Sequence, residues 1–269
     1  MQDRVRIEID PYGVADVCLV RGDKMNALDA AMFDALVAAI DRLKNQAGLR
    51  AVVLHGEGKA FCAGLDMARF EKMGGGQDAA LSRLGTRTHG VANMPQHVAW
   101  GWRTLPVPVI AAVHGVAFGG GLQLALGADV RLVTADTRLS VMEIKWGLVP
   151  DMAGMVLMRT LVRDDIAREI TYSGRSVGGT EAAQIGLATR VCTDPLAEAR
   201  ELARTIAQRS PSALRAAKQL FNQANRLSDA SAAELLQSES DAQAALMGAP
   251  HQLEAVRANI EKRMPRFED

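Results

Sequence analysis

The first part of the chain alternates short apolar runs with one longer amphipathic run. The runs VRIEI and VADVCLV lie on either side of a Pro-Tyr-Gly turn at residues 11–13, which predicts a β-hairpin. Residues 29–44 carry apolar side chains three and four positions apart, the spacing of a helix with one buried face. Asp29 stands where it can cap the N-terminus of that helix. The pattern therefore begins with two paired strands followed by a helix.

Further along, the pattern changes from mixed to purely helical. Three runs have the β-branched composition and the length of buried strands: residues 51–56, 107–115 and 129–135. Strands that alternate with helices predict an α/β fold whose sheet is covered by helices. From about residue 195 onward only helical spacing remains. We therefore predict an α/β core with the functional site over residues 1–194 and a helical region over 195–269. Within the core, the segment 67–104 predicts helical turns and loops beside the site.

Composition and charge narrow the class of protein. Lys plus Arg and Asp plus Glu are both 31, so no overall field attracts nucleic acid or an anionic membrane surface. The three cysteines lack the spacing of a metal site or a disulfide framework. The N-terminus has no apolar signal-peptide core, and no run approaches the length of a membrane span. We expect a soluble, cytoplasmic protein that binds no metal, nucleic acid or membrane.

Two glycine-rich stretches follow predicted strands and lead into helical patterns. The glycines at 119–121 lie between a strand-like run and LQLALGA, and GKAFCAGLDM at 58–67 follows the strand at 51–56. Glycine lets a ligand approach the backbone, and the first N–H groups of a helix have no partner within it. Two such edges can form an oxyanion hole, in which one donor contributes about 2.7–4 kcal/mol to barrier lowering.

Two carboxylates are candidates for proton transfer. Glu143 lies among apolar residues, which would raise its pKa toward neutral if the side chain is buried. Asp151 follows eight residues later, after Gly147 and Pro150, in a segment that can fold back as a loop. Paired carboxylates near one ligand can remove a proton at one carbon and return it at another. The alternative is structural, with Glu143 in a strand-end salt bridge and Asp151 in a turn.

Six motifs in order along nearly the whole chain carry a resemblance to a known family: KMNALD, GKAFCAGLDM, AAVHGVAFGGGLQLALGADVRL, LSVMEIKWGLVPDMAG, TYSGRSVGGTEAAQIGLATRV and EKRMPRF. Together they resemble the crotonase, or enoyl-CoA hydratase/isomerase, superfamily. The resemblance implies a spiral of ββα units with a C-terminal helical oligomerisation region, and a homotrimer or a homohexamer of two trimers. It also implies an acyl-CoA thioester as substrate, with coenzyme A part of that substrate and no separate cofactor.

The same resemblance implies roles for individual residues. The thioester oxygen would be held by the backbone N–H groups of Leu65 and Gly120. Residues that would bind the CoA part of the substrate are Arg21, Lys24, Ala27, Ala63, Asp66 and Lys262. Arg263 is an alternative to Lys262 at the nucleotide phosphates, and either would come from a neighbouring subunit.

The acid/base positions depart from the hydratase pattern. Hydratases of this type have a glutamate two residues past the glycine run, where this chain has Gln123. An amide can bind water but cannot exchange its proton at neutral pH. Asp151 stands where hydratases usually have glycine, which is similar to the arrangement in dienoyl-CoA isomerases, although those enzymes also have aspartate at the position of Gln123.

These departures leave three interpretations of the function. The first is double-bond isomerisation with Glu143 and Asp151 as the acid/base pair. The second is enoyl-CoA hydration by Glu143, with Gln123 orienting the water. The third is a CoA-binding or scaffolding protein without turnover.

Overall fold

The structure is a computed structural model that describes residues 4–67, 84–224 and 229–266, except for the side chains of residues 224 and 229–232. Within these ranges the strands β1 to β9 are Val5–Ile9, Val14–Leu19, Ala51–Gly56, Val109–Val113, Val116–Phe118, Val130–Val133, Arg138–Ser140, Val177–Gly178 and Arg190–Val191. The helices α1 to α10 are Ala30–Lys44, Met94–Thr104, Gly120–Leu126, Gly154–Met158, Asp164–Ser173, Gly179–Gln184, Pro195–Ala207, Pro211–Ala224, Asp229–Leu246 and Pro250–Ile260.

The strands form a six-stranded sheet of order β1-β2-β3-β4-β6-β9 and a three-stranded sheet of order β5-β7-β8. The predicted hairpin is confirmed, because β1 and β2 pair antiparallel, and the remaining pairs of the large sheet are parallel. The strand predicted in the run 107–115 is confirmed as β4, and the glycine that closes the run forms a turn, because Gly115 has a φ of 61°. Strand β5 begins after that turn and enters the second sheet instead of extending β4.

The predicted helix over 29–44 is confirmed as α1. Its N-cap is Asp29, whose carboxylate accepts a hydrogen bond from the backbone N–H of Met32 at 2.8 Å. The apolar face of α1 is buried in the main hydrophobic core. Helix α2 packs against α1 and begins with a capping box, in which Asn93 and Gln96 bind each other's backbone N–H groups. The last 11 residues of the segment 67–104, which predicted helical turns and loops, therefore form a regular helix.

The C-terminal helices pack on the core of the same chain. Helix α7 lies across the face of the sheet opposite α1, where Ala199 and Ala203 pack against Val53 and Ile110. Helix α9 contacts α4, and α10 contacts the 3₁₀ turn Glu143–Trp146. These contacts bring the end of the chain back to the segment that carries the predicted acid/base pair.

Part of the predicted loop segment is not described. Residues 68–83, which include the glycines at 74–76, lie outside the described residues. In the three described ranges, none of the helices combines the length and the apolar character that a bilayer crossing requires.

Candidate active site

A cavity of about 680 Å³ opens where the core meets the helical region. This volume lies within the range of small-molecule sites in proteins. The cavity is lined by nine of the residues predicted for the site: Arg21, Lys24, Ala27, Ala63, Leu65, Asp66, Gly120, Glu143 and Asp151. Residues from four separate stretches of the sequence therefore meet around one space.

One side of the cavity, the glycine wall, is built from residues 62–65 and 118–121. These segments approach as a parallel bridge, with the N–H of Cys62 donating to Val116 and the N–H of Phe118 donating to Cys62, each at 3.1 Å. A Cβ at Gly121 would overlap the carbonyl oxygen of Cys62, and one at Gly64 would overlap that of Phe118. Only residues without a side chain permit this approach of the two backbones.

The two predicted oxyanion donors lie on this wall. Leu65 flanks Gly64, whose absent Cβ would stand 3.7 Å from the backbone nitrogen of Gly120. The residues on either side of Leu65 are hydrogen-bonded to Leu28. The Leu28 N–H donates to the Gly64 carbonyl at 2.8 Å, and the Asp66 N–H donates to the Leu28 carbonyl at 3.2 Å. Among the described residues, neither the Leu65 nor the Gly120 backbone N–H donates to a backbone carbonyl. Both residues line the cavity, so each brings a backbone N–H without a backbone acceptor to its lining.

The predicted CoA-binding residues divide into two groups. Arg21 is fixed at the cavity edge, because its Nη1 donates to the Asp66 carboxylate at 2.6 Å and to the Ala27 carbonyl at 2.9 Å. Lys24 is exposed beside it. Lys262 does not line the cavity of its own chain, and Arg263 pairs with Glu254 and Glu261. The structure therefore brings together all of the predicted CoA-binding residues except Lys262.

A second part of the cavity lining, the carboxylate wall, belongs to the segment 143–155. Glu143 opens a 3₁₀ turn, and its Oε1 accepts a hydrogen bond from the amide Nε2 of Gln123 at 2.7 Å. Its Oε2 is buried and has no hydrogen-bond partner among the described residues. Burial raises the pKa of Glu143 to about 7, although hydrogen bonds from the backbone and from Gln123 oppose the rise. A carboxyl group with this pKa can accept or release a proton near neutral pH.

Gln123 lies behind Glu143, away from the cavity. It is only 3% exposed, and its Oε1 accepts hydrogen bonds from the backbone N–H groups of Met152 and Gly154, both at 2.8 Å. One amide therefore binds Glu143 with its nitrogen and the turn after Asp151 with its oxygen. A glutamate here could accept both N–H groups but could donate to Glu143 only when protonated.

Asp151 is buried and lines the cavity, and a second buried carboxylate lies close to it. Glu239 of α9 accepts hydrogen bonds from the backbone N–H groups of Ala153 at 3.0 Å and Met155 at 3.1 Å. Burial, and after it the negative charge of Asp151, raises the pKa of Glu239 to about 8. Glu239 was not among the site residues predicted from the sequence.

The face of α9 that carries Glu239 is polar although it is buried. Among the described side chains of this helix, four are buried and recur at helical spacing, and all but the first are polar: Leu236, Glu239, Ser240 and Gln243. A buried helix face made of polar side chains indicates a hydrogen-bonded interface rather than an ordinary hydrophobic one.

The chain is similar to known proteins over nearly its whole length. The model of the enoyl-CoA hydratase/isomerase family matches residues 10–269. A protein of Mycobacterium bovis named "probable enoyl-CoA hydratase" is 33% identical over 94% of this chain and 94% of its own. A mitochondrial Δ(3,5)-Δ(2,4)-dienoyl-CoA isomerase of Dictyostelium discoideum is 28% identical over 80% of this chain and 75% of its own. The crystal structure of an enoyl-CoA hydratase of Mycobacterium smegmatis superposes with a TM-score of 0.70 at 30% identity, over 97% of this chain and 98% of the other. The chain therefore belongs to the enoyl-CoA hydratase/isomerase family, has the crotonase fold of that family, and is an enzyme that acts on acyl-CoA.

Proposed function

We propose that this enzyme isomerises double bonds in an unsaturated acyl-CoA, with Glu143 and Asp151 as the acid/base pair. One observation carries the proposal. Of the three acid/base positions, the two carboxylates line the cavity, whereas the side chain of Gln123 lies behind Glu143. The cavity is thus lined by the two carboxyl groups that can exchange protons with a substrate, and not by the amide of Gln123, which cannot.

The reaction follows from one ionised and one protonated carboxyl group. With a 3,5-dienoyl thioester, the ionised carboxylate removes a proton from C2, and the electron pair moves into an enolate. The N–H groups of Leu65 and Gly120 stabilise the negative oxygen of that enolate. The protonated carboxyl group then delivers its proton to C6, which moves the double bonds to C2 and C4. The two carboxyl groups end with their protonation states exchanged, and no atom is gained or lost.

The rest of the site binds the CoA part of the substrate. Arg21 and Lys24 supply positive charge at the edge of the cavity, where the CoA phosphates would lie. Ala27 and Ala63 leave space along the path, and Asp66 holds Arg21 in place. We propose that no cofactor takes part, and that Lys262 reaches the nucleotide from a neighbouring subunit of a trimer or hexamer.

Hydration is the second candidate, and the Oε2 of Glu143, which has no hydrogen-bond partner within the described ranges, favours it. A buried acceptor without a partner can hold a water molecule. In that reaction Glu143 alone would activate the water and transfer its proton. Gln123 would act through Glu143, since its own oxygen already binds two N–H groups.

The two candidates are separated by assaying the purified protein on two substrates. A 2-enoyl-CoA that is hydrated loses its conjugated absorbance, whereas a 3,5-dienoyl-CoA that is isomerised gains a conjugated-diene band. We expect Asp151→Asn to abolish the new diene band and to leave any hydration largely intact. The matched control is Asp136→Asn, an exposed aspartate away from the cavity, which should not change either rate. Isomerisation that survives Asp151→Asn would refute the role of Asp151.

A further variant tests hydration. Gln123→Glu supplies the carboxylate that hydratases have at this position, so hydration should rise if the amide limits it. No gain would mean that Gln123 does not limit hydration.

A further inference from the structure

The turn that follows Asp151 is bound from both sides by buried side chains. The N–H groups of residues 152 and 154 donate to the amide oxygen of Gln123, and those of 153 and 155 donate to the two carboxylate oxygens of Glu239. Four successive N–H groups are thus bound alternately by α3 and α9. Ala153, at the centre of the turn, has a φ of 66°, which is unfavourable for a residue with a side chain. The two side chains hold the backbone in this conformation.

Helix α9 is attached to the core by contacts other than those of the Glu239 carboxylate. Ser240, one position further along the helix, already binds Arg87 at 2.8 Å, Asn93 at 3.1 Å and Gln96 at 3.3 Å. Glu239 is only 6% exposed, and burying a carboxylate is unfavourable unless its interactions compensate. Its oxygens are directed to the turn that carries Asp151, which suggests a role beyond helix packing.

The charges around Glu239 come from three elements. Asp151 is the neighbouring anion, on the turn. Arg87, in the segment before α2, is the neighbouring cation. Its guanidinium is attracted both by the Glu239 carboxylate and by the Asp241 carboxylate of α9. Gln96 of α2 contributes a neutral N–H, 3.4 Å from the Glu239 carboxylate. The interaction between the Glu239 and Asp151 carboxylates is mutual, so the charge on one influences proton binding by the other.

We propose that Glu239 is a positioning residue for Asp151: it fixes the turn that presents the Asp151 carboxylate to the cavity and places a second carboxyl group beside it. The inference rests on the proposed role of Asp151 in isomerisation. Glu239 does not line the cavity, so it acts through Asp151 and not on the substrate.

The test compares kcat, KM and the pH profile of dienoyl-CoA isomerisation in two variants. Glu239→Gln keeps one acceptor oxygen and turns an NH₂ group toward the other N–H, so kcat should fall about tenfold. Glu239→Ala removes both acceptors, and kcat should fall about 100-fold, the size of effect that a misplaced catalytic group produces. KM should stay within about twofold of the wild-type value, because the CoA contacts lie on other segments. The pH profile of kcat should also change in Glu239→Gln, since the variant has lost a titrating neighbour of Asp151.

Ser240→Ala is the matched control. It weakens the attachment of the same helix without touching the turn, so it should lower the melting temperature and leave kcat and its pH profile unchanged. An equal loss of kcat in Ser240→Ala would overturn the proposal, because the effect would then come from loosening α9. Wild-type kcat and an unchanged pH profile in both Glu239 variants would overturn it as well.

Failure of the proposed function would be recognised separately. Isomerisation that persists in Asp151→Asn refutes the role of Asp151 and the positioning role with it. If Asp151→Asn abolishes isomerisation and the Glu239 variants have no effect, the function stands and only the positioning role is refuted.

Discussion

The two walls of the cavity are held in place by different means. In the glycine wall, residues 62–65 and 118–121 contact each other directly through their backbones, and the glycines permit that contact. In the carboxylate wall, residues 143–155 are held by the side chains of Gln123 and Glu239, which come from α3 and α9. The first wall presents fixed dipoles for an oxyanion, and the second presents groups that change protonation. The difference suggests that shape is set by the backbone, whereas proton transfer depends on side chains whose environment is tuned from outside the cavity.

The largest effect is expected in the carboxylate wall, at Glu143. We expect Glu143→Gln to lower kcat about 100- to 10,000-fold, because an amide cannot perform acid/base catalysis. The variant keeps an oxygen that can accept from Gln123, so the wall should remain in place. The measurement is steady-state turnover on enoyl- and dienoyl-CoA, with binding of a CoA ester as the control. A kcat within tenfold of wild type for every reaction that the enzyme catalyses would contradict the role of Glu143.

The glycine wall should be sensitive to a single methyl group. We expect Gly121→Ala to lower the free energy of unfolding by about 3 kcal/mol, because its Cβ would overlap the Cys62 carbonyl and backbone cannot move aside cheaply. The measurement is urea unfolding. Gly178→Ala is the control, since its Cβ would meet nothing within 4 Å, and its effect should stay within about 0.5 kcal/mol. Equal stability of the two variants would mean that backbone contact does not determine the wall.

The carboxylate wall should reduce stability in a pH-dependent way. The pKa of Glu143 is about 7 in the folded chain against an ordinary value of 4.5, so the fold favours the protonated form. The wild-type protein should therefore lose stability between pH 4.5 and pH 7, by up to about 3 kcal/mol from this group, and no more above that range. Glu143→Gln lacks this titration and should become the more stable protein as pH rises.

This prediction is measured by urea unfolding of both proteins at pH 4.5, 6 and 8. The difference in unfolding free energy should grow in favour of Glu143→Gln across the series. A difference that is the same at all three values would show that the Glu143 carboxylate is not buried at the expense of stability.

A smaller effect, on the pH profile of kcat, is expected at Gln123, whose amide nitrogen binds Glu143 and whose oxygen binds the turn after Asp151. In Gln123→Glu, a second carboxylate would stand where the amide now lies 2.7 Å from Glu143, so the pair would share a proton. We expect the part of the pH profile of kcat that reflects Glu143 to move to higher pH by about one unit. The N–H groups of Met152 and Gly154 would keep an acceptor, so stability at pH 5 should change little. Superimposable pH profiles would mean that the amide does not tune Glu143.

Several features of this protein could be predicted from local sequence. The capping of α1 by Asp29 and the hairpin each depend on neighbours a few residues away, and both are confirmed. The pKa of Glu143 is raised in the direction that its apolar sequence neighbours indicated, but the cause is burial, which the whole fold supplies. Strand β5 was not predicted, because its three residues lie between Gly115 and Gly119 and are too short a run to show a strand pattern. Only its pairing with β7 in the second sheet identifies it as a strand.

Some residues of the candidate site could also be predicted from local sequence, and others could not. The glycine runs, Glu143 and Asp151 could be selected because their residue types and spacing suit oxyanion binding and proton transfer. The place of Gln123 could not be predicted, because an amide at that position is equally compatible with facing a substrate or a water, and only the fold shows that it binds Glu143 and Met152. Glu239 could not be selected either, since its partners lie 84 and 86 residues earlier in the chain.

By itself, the sequence determined the family, the N-terminal hairpin and the helix that follows it, and candidate residues for both walls. These depend on periodicity and on short motifs, which act over a few residues. The tertiary structure decided which groups reach the cavity: it turned Gln123 away from it and brought Glu239 of the C-terminal region against the turn of Asp151. The physical reason is that a buried polar group must find partners wherever the fold supplies them, and those partners need not be near in sequence.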